Sequence, residues 1–292
     1  MNLFKCFLNT FLGIFSIFPL KILHLMGALV GYLLYLIPNR LKSTTITNLK
    51  LCFPNKAQYE INELVKLSLI ETSKTFFELG KCWIKYPKQG VDHLVQTEGL
   101  SNLKKSLKSR SGVILFSAHL GNIEIIINYL AKNFNCTIPY SEIKIPAAEV
   151  VVKKARESMG AKMVIASSSG VRSLLNSLNQ GELVTIASDQ VPNREGGIIS
   201  DFFQVPALSM SLVVKLASKT NCLCHSVSCV RRKGGKGYKI YFSDLINMSS
   251  NLDIQEGVNL MNSELEKCIM RAPEQYAWEY KRFKASTFEN PY

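Results

Sequence analysis

One of only four histidines in the chain, His119, lies in the stretch Phe116-Ser117-Ala118-His119-Leu120-Gly121-Asn122-Ile123-Glu124. It follows the short apolar run 112–117, which reads as a buried strand. Folds of the α/β class present catalytic side chains just past such strands. Glu124 comes five residues later, in the opening turn of a helix that Asn122 is suited to cap. Gly121 permits a tight turn that would fold the carboxylate back toward the imidazole. Such a pair suits general-base chemistry, because the carboxylate sets the imidazole tautomer and stabilises the imidazolium. The same spacing equally fits a strand-end histidine beside an acid that complements a helix N-terminus.

Two further stretches carry charge where chemistry could use it. Asp189-Gln190 ends the strand candidate 183–187, at the sheet edge where ligands bind. Arg156 lies on a helical stretch, 146–159, as one of a cluster of cations. Lys153 and Lys154 flank it, which also fits a solvated helix face. Cys222, Cys224 and Cys229 with His225 look at first like metal ligands. They alternate instead as successive residues of a strand, and no second cysteine pair stands at zinc-site spacing. Lys233-Gly234-Gly235-Lys236-Gly237 reads as a basic turn between two antiparallel strands rather than a phosphate loop, since no helix follows it. No G-x-G-x-x-G occurs. Neither a metal nor a cofactor is therefore expected, and no cysteine or serine has a visible partner that would make it a nucleophile.

These residues need a frame to meet in. Amphipathic spacing predicts a helix over 57–80, and helices over 123–131, 146–159, 170–179, 209–218 and 253–270. Strands are predicted at 112–117, 163–166, 183–187, 222–231 and 238–242. Alternation of the two implies an α/β fold, a mixed central sheet flanked by helices. The chain has 292 residues, 47% of them hydrophobic and 20% charged, too apolar for a disordered polycation. Its net charge is +13, yet the charge is uneven: every acid lies beyond residue 38, and residues 1–38 hold only Lys5 and Lys21 as full cations. Residues 1–38 are expected to be a membrane-anchoring helical segment, either one tilted span or an interfacial helix pair. No small-x-small cleavage site follows, which disfavours a signal peptide. Residues 39–292 would form one α/β domain. Arg40, Lys42 and Lys50 after the apolar stretch place that domain on the cytoplasmic side.

In its motifs, their order and their spacing, the chain resembles the lipid A biosynthesis (lauroyl/myristoyl) acyltransferase family, within the His-x4-Asp/Glu glycerolipid-type acyltransferases. His119-x4-Glu124 is similar to the family signature, and Asn48-Leu49-Lys50-Leu51-Cys52-Phe53-Pro54 is similar to its "N-L-x-x-C-F-P" segment. Asp189-Gln190 and then Asp201-Phe202-Phe203 before Pro206-Ala207 follow in order. Trp278-Glu279-Tyr280-Lys281-Arg282-Phe283-Lys284 is similar to the closing "W-x-H-R-R-F-K". Gln204 replaces a common glycine and Ser209 a frequent threonine, departures that bear on acyl-chain or acceptor preference.

The resemblance implies His119 and Glu124 as the catalytic pair, with Arg156 as a third catalytic residue and Asn122, Asp189, Gln190 and Arg282 as substrate-binding residues. His119, oriented by Glu124, would deprotonate an acceptor hydroxyl that attacks an acyl thioester. Backbone donors near Gly121 and Asn122, or Arg156, would stabilise the oxyanion. The implied donor is acyl carrier protein, and the implied acceptor is a 3-hydroxyacyl group of an anionic, Kdo-bearing lipid A precursor in the bacterial inner membrane. A sibling acyltransferase acting on a lysophospholipid or glycolipid is the alternative. Basic clusters at 104–110, 231–236 and 281–284 are candidate docking surfaces. Nucleic acid is not an expected partner, because the phenylalanines fall in apolar runs rather than interleaving with basic residues.

Overall fold

The computed structural model describes residues 2–143, 145–248, 252–286 and 289–292. Four helices come first: α1 (Asn2–Ile17), α2 (Leu20–Leu36), α3 (Arg40–Cys52) and α4 (Gln58–Gly80), the last running on into a π-helical turn, Lys81–Lys85, and the short α5 (Tyr86–Gln89). Then follow β1 (Val95–Glu98), α6 (Leu100–Lys108), β2 (Val113–Ser117), α7 (Ile123–Asn133) and β3 (Cys136–Tyr140). The chain continues through α8 (Pro146–Glu157), β4 (Lys162–Ile165), α9 (Ser168–Asn179) and β5 (Leu183–Ala187). Next come the hairpin β6 (Gly197–Phe202) and β7 (Val205–Met210), then α10 (Leu212–Thr220), β8 (Leu223–Arg231), β9 (Tyr238–Phe242) and α11 (Ile254–Ile269).

Seven strands form one sheet in the order β1-β9-β8-β2-β5-β3-β4, parallel except for the antiparallel β8–β9 pair. The mixed sheet flanked by helices is thus the architecture expected from the alternation of elements. β2 is central and every one of its residues is buried. Ile114 and Phe116 pack into the core on one face, and Val113 and Leu115 into the core on the other. Period-2 alternation between two apolar faces is what a central parallel strand requires. Cys224 and Cys229 are buried on β8, as the alternation of 222–231 predicts.

One element differs in type. The segment predicted as a helix from 209 begins as strand, with β7 reaching Met210 before α10 starts at Leu212. Ser209 and Leu208 pair with Ile198 and Ile199, and this cross-strand pairing overrides the local helical periodicity. The strands β1 and β3 and the β6–β7 hairpin were not evident from the sequence.

The N-terminal helices pack as a bent pair. α1 and α2 meet at 120° across Phe18 and Pro19, and no single described helix is long and apolar enough to cross a bilayer. Pro19 suits this corner, since a proline opens a helix readily but cannot continue one. α2 lies directly on α4: a Cβ on Gly27 or Gly31 would stand 2.6 Å from the Cα of Lys74 or 2.4 Å from that of Ile70. Only glycine allows so close a backbone approach. The opposite side of α2 leaves Leu25, Leu29, Leu33 and Leu36 exposed.

Candidate active site

The register of the sheet builds the site. β2 pairs with β5 so that Ser117 stands opposite Ala187. Two residues past each strand end come His119 and Asp189, and Ser188 N–H still donates to Ser117 O at 2.9 Å. The two side chains meet there. Nδ1 of His119 lies 2.8 Å from Oδ1 of Asp189, and the His119 backbone N–H donates to Oδ2 at 2.9 Å. Asp189 is only 2% exposed, and burial by itself would raise its pKa. The His119 imidazole and the hydrogen bonds to the carboxylate outweigh that and lower it, so it is ionised. An ionised carboxylate can only accept. Nδ1 therefore carries the proton and Nε2 carries the lone pair.

The loop from His119 to Asn122 is clamped from three directions. Gly121 N–H donates to Gln275 O at 2.8 Å, and Ala277 N–H donates to His119 O at 3.1 Å. Thr75 Oγ1 on α4 donates to Gly121 O at 3.0 Å. Gly121 takes φ +61°, and a Cβ there would collide with Cys229 O at 2.2 Å. Asn122 is fully buried. Its Oδ1 accepts from Glu124 N–H at 3.0 Å, capping α7, and its amide donates to Glu78 on α4 at 2.7 Å.

Glu124 lies close enough to His119 to act on it electrostatically, but its hydrogen bonds go elsewhere. Arg156, reaching in from α8, grips it bidentately, Nε to Oε2 at 3.1 Å and Nη2 to Oε1. The expected role of Glu124 as the orienting partner of His119 therefore passes to Asp189. Helix α7 carries Glu124 toward α8, whereas the β2–β5 register delivers Asp189 to Nδ1. Burial opposes protonation of His119, yet Asp189 and Glu124 together outweigh burial and the Arg156 charge. The imidazole pKa is raised above its ordinary value.

His119, Arg156 and Gln190 line one cavity of about 800 Å3. The Gln190 amide is 3.5 Å from His119 Nε2. Beyond them the cavity is largely apolar, with Ile123, Ile138, Val171, Leu174, Ile186 and Leu212 in its wall. An imidazole in the wall of a largely apolar cavity of this size fits a ligand with a polar head and a hydrocarbon body.

The matching comparison falls on this same frame. The family profile described as bacterial lipid A biosynthesis acyltransferase matches residues 3–285. The chain belongs to that family. The lipid A biosynthesis palmitoleoyltransferase of Escherichia coli (strain K12) is 26% identical over 267 residues, covering 91% of this chain and 86% of the relative. The lipid A biosynthesis lauroyltransferase of the same organism is 23% identical over 271 residues, with the same coverage. A lipid A biosynthesis acyltransferase of Haemophilus influenzae is 23% identical over 239 residues, 81% of this chain and 75% of the relative.

For this lipid A acyltransferase family member, the structure gathers His119, Arg156 and Gln190 at the cavity, with Glu124 buried and held by Arg156, and moves other expected site residues inward. Asp189 is buried with both oxygens on His119. Asn122 is a helix cap without exposed surface. Arg282 is 2% exposed and donates to Leu208 O at 2.8 Å and Ser209 Oγ at 2.6 Å. One of the expected oxyanion donors is committed as well, Gly121 N–H to Gln275 O at 2.8 Å. Arg231, placed in a basic docking cluster by sequence, is buried in ion pairs with Glu71 and Glu78. Thr75, Glu78 and Gln275 were missed. The available signal was a glutamate beside Phe77 on the buried stripe of an amphipathic helix, where a charge stays only if paired.

Proposed function

We propose that this acyltransferase moves a fatty acyl chain from an acyl carrier protein thioester to the hydroxyl of a 3-hydroxyacyl group on a Kdo-bearing lipid A precursor. The observation that carries this reading is the His119–Asp189 pair opening onto the apolar cavity. Nε2 of His119 takes the proton of the acceptor hydroxyl as its oxygen attacks the thioester carbonyl. Arg156 faces the cavity, and its Nη1 makes no hydrogen bond to the described residues, so it is available to the developing oxyanion. Collapse of the tetrahedral species breaks the C–S bond, and the imidazolium returns its proton to the leaving thiolate. The ester forms, the thiol is released, and His119 ends neutral. No covalent intermediate on the protein is needed.

The acyl chain occupies the apolar cavity, each buried CH2 contributing about 0.8 kcal/mol. Val171→Phe, which fills part of this wall, is expected to shift donor preference toward shorter chains. Competition between acyl donors of different length in one reaction, read by mass spectrometry of the product, checks this. An unchanged length profile would place the chain elsewhere.

The exposed leucines of α2, with Ile17, Ile22, Leu67 and Phe76 beside them, support in-plane seating of the N-terminal helix pair at the inner membrane. The domain beyond residue 38 then faces the cytoplasm, where its positive charge suits an anionic lipid and an acidic carrier protein. Mass spectrometry of lipid A from cells lacking this chain tests the whole reading. Loss of one secondary acyl chain is expected. Unaltered lipid A with changed phospholipids would transfer the chemistry to another acceptor.

A further inference from the structure

A densely bonded buried charge lies outside the reacting atoms. Glu78 on α4 is fully buried, and its two oxygens accept four hydrogen bonds. His24 Nε2, from α2, is 2.6 Å from Oε1. Arg231 at the end of β8 gives Nε to Oε1 at 2.7 Å and Nη2 to Oε2 at 2.8 Å. Asn122 Nδ2 reaches Oε2 at 2.7 Å. Burial alone would drive this carboxyl to hold its proton. Arg231 and His24 reverse that and keep it far below the usual carboxylate range.

Two partners of Glu78, Arg231 and Asn122, lead to the loop that carries His119. Asn122 caps α7 and so fixes the backbone of Glu124. Arg231 also donates to Thr75 Oγ1 at 2.7 Å, and that hydroxyl holds Gly121 O. The Arg231 backbone N–H and C=O exchange hydrogen bonds with the Gln275 side chain at 2.7 and 3.1 Å, and Gln275 O holds Gly121 N–H. His24 is the one member of this set that comes from the N-terminal helix pair. A single carboxylate therefore connects α2 to both sides of the catalytic loop.

We propose that Glu78 is a positioning residue for acyl transfer, coupling the seating of α2 on α4 to the placement of His119. Apart from its kinetic readouts, which rest on His119 being the general base proposed above, the coupling is a statement about the loop itself. In Glu78→Gln the side-chain NH2 cannot accept, so at least one oxygen's worth of donors loses its partner and Arg231 is left to Glu71. The loop is then free to shift, and misplacement of a base by about 1 Å can cost on the order of 10²-fold in rate.

The test uses the full chain in detergent, with Glu78→Gln, His24→Leu, His24→Gln and the control Glu71→Gln. Glu71 also binds Arg231, at 2.6 Å, but makes no hydrogen bond to the loop. Hydrogen exchange in peptides covering residues 119–125 is expected to accelerate about tenfold in Glu78→Gln and His24→Leu. His24→Gln, whose amide can still donate to Glu78, restores protection, and Glu71→Gln leaves it near wild type. Kinetically, Glu78→Gln lowers kcat about tenfold or more with little change in KM for the acyl donor. The acid limb of kcat/KM moves to lower pH as the His119–Asp189 contact loosens, with Glu124 and Arg156 the other charges facing His119. A smaller folded fraction would lower kcat without moving that limb. Unchanged loop exchange in both Glu78→Gln and His24→Leu would overturn the proposal, as would an equal effect of Glu71→Gln. If Glu78→Gln does not fold, the two His24 variants carry the test alone. If the wild-type chain transfers no acyl group from carrier protein, the proposed reaction fails, while loop exchange still decides the coupling.

Discussion

His119→Ala is expected to lower the rate of acyl transfer by about 10²–10⁴-fold, the usual contribution of a well-placed general base. The loss should fall on kcat and kcat/KM alike, because Nε2 acts on the proton in flight and adds little to ground-state binding. His119 is 31% exposed in its side chain, so the hole left is open to water and costs the fold little. What remains is Asp189, buried and deprived of one donor. His119→Asn supplies the check on that effect, since its amide can still donate to Asp189 but has no lone pair to act as a base at Nε2. Both variants should be inactive, with the asparagine variant unfolding closer to the wild-type temperature. Substantial transfer by either, measured with radiolabelled acyl donor, would remove His119 from the chemistry.

Asp189→Asn carries the second large effect, about 10² or more in kcat, by removing the group that holds the tautomer. Asp189 serves two donors at once, the backbone N–H and Nδ1–H of residue 119, with one oxygen each. Asparagine has one accepting oxygen, so one donor loses its partner, or the ring turns and presents the wrong nitrogen. The pH profile adds a sign. Asp189 is the largest influence raising the His119 pKa, against burial and Arg156, which lower it. With the charge gone the imidazole loses its proton more readily, and the acid limb of kcat/KM moves to lower pH. Glu124→Gln is expected to shift that limb less, because Glu124 acts on the ring without a hydrogen bond to it. A larger shift and a larger rate loss in Glu124→Gln than in Asp189→Asn would return the orienting role to Glu124.

The chemistry of the site was legible in a few residues. A histidine two positions past an apolar strand, an asparagine ready to cap the next helix and a glycine between them implied an exposed imidazole on a fixed loop. The structure has that loop. The strand at 183–187 was legible from its apolar run, and so was the polar Asp189 at its end. That these two strand ends are neighbours was not, because β2 and β5 are separated by β3, β4 and the helices between them. Parallel pairing is set by which strands share a buried face, which no local pattern records.

Sequence alone determined that this chain is an α/β protein with an acid-free apolar head, and it singled out His119, just past a strand, as the candidate base. Those conclusions rest on local causes: periodicity, capping and the conformational demands of a turn. Tertiary structure decided which carboxylate meets the imidazole, because residues 70 apart in sequence meet only through sheet register. It also decided that Arg282 and Arg231 are internal struts rather than docking cations, as Leu208, Ser209, Glu71 and Glu78 converge on them only in the folded chain. A charged side chain reads as surface in sequence because burial is so costly for it. Only the assembled fold supplies the partners that make burial tolerable.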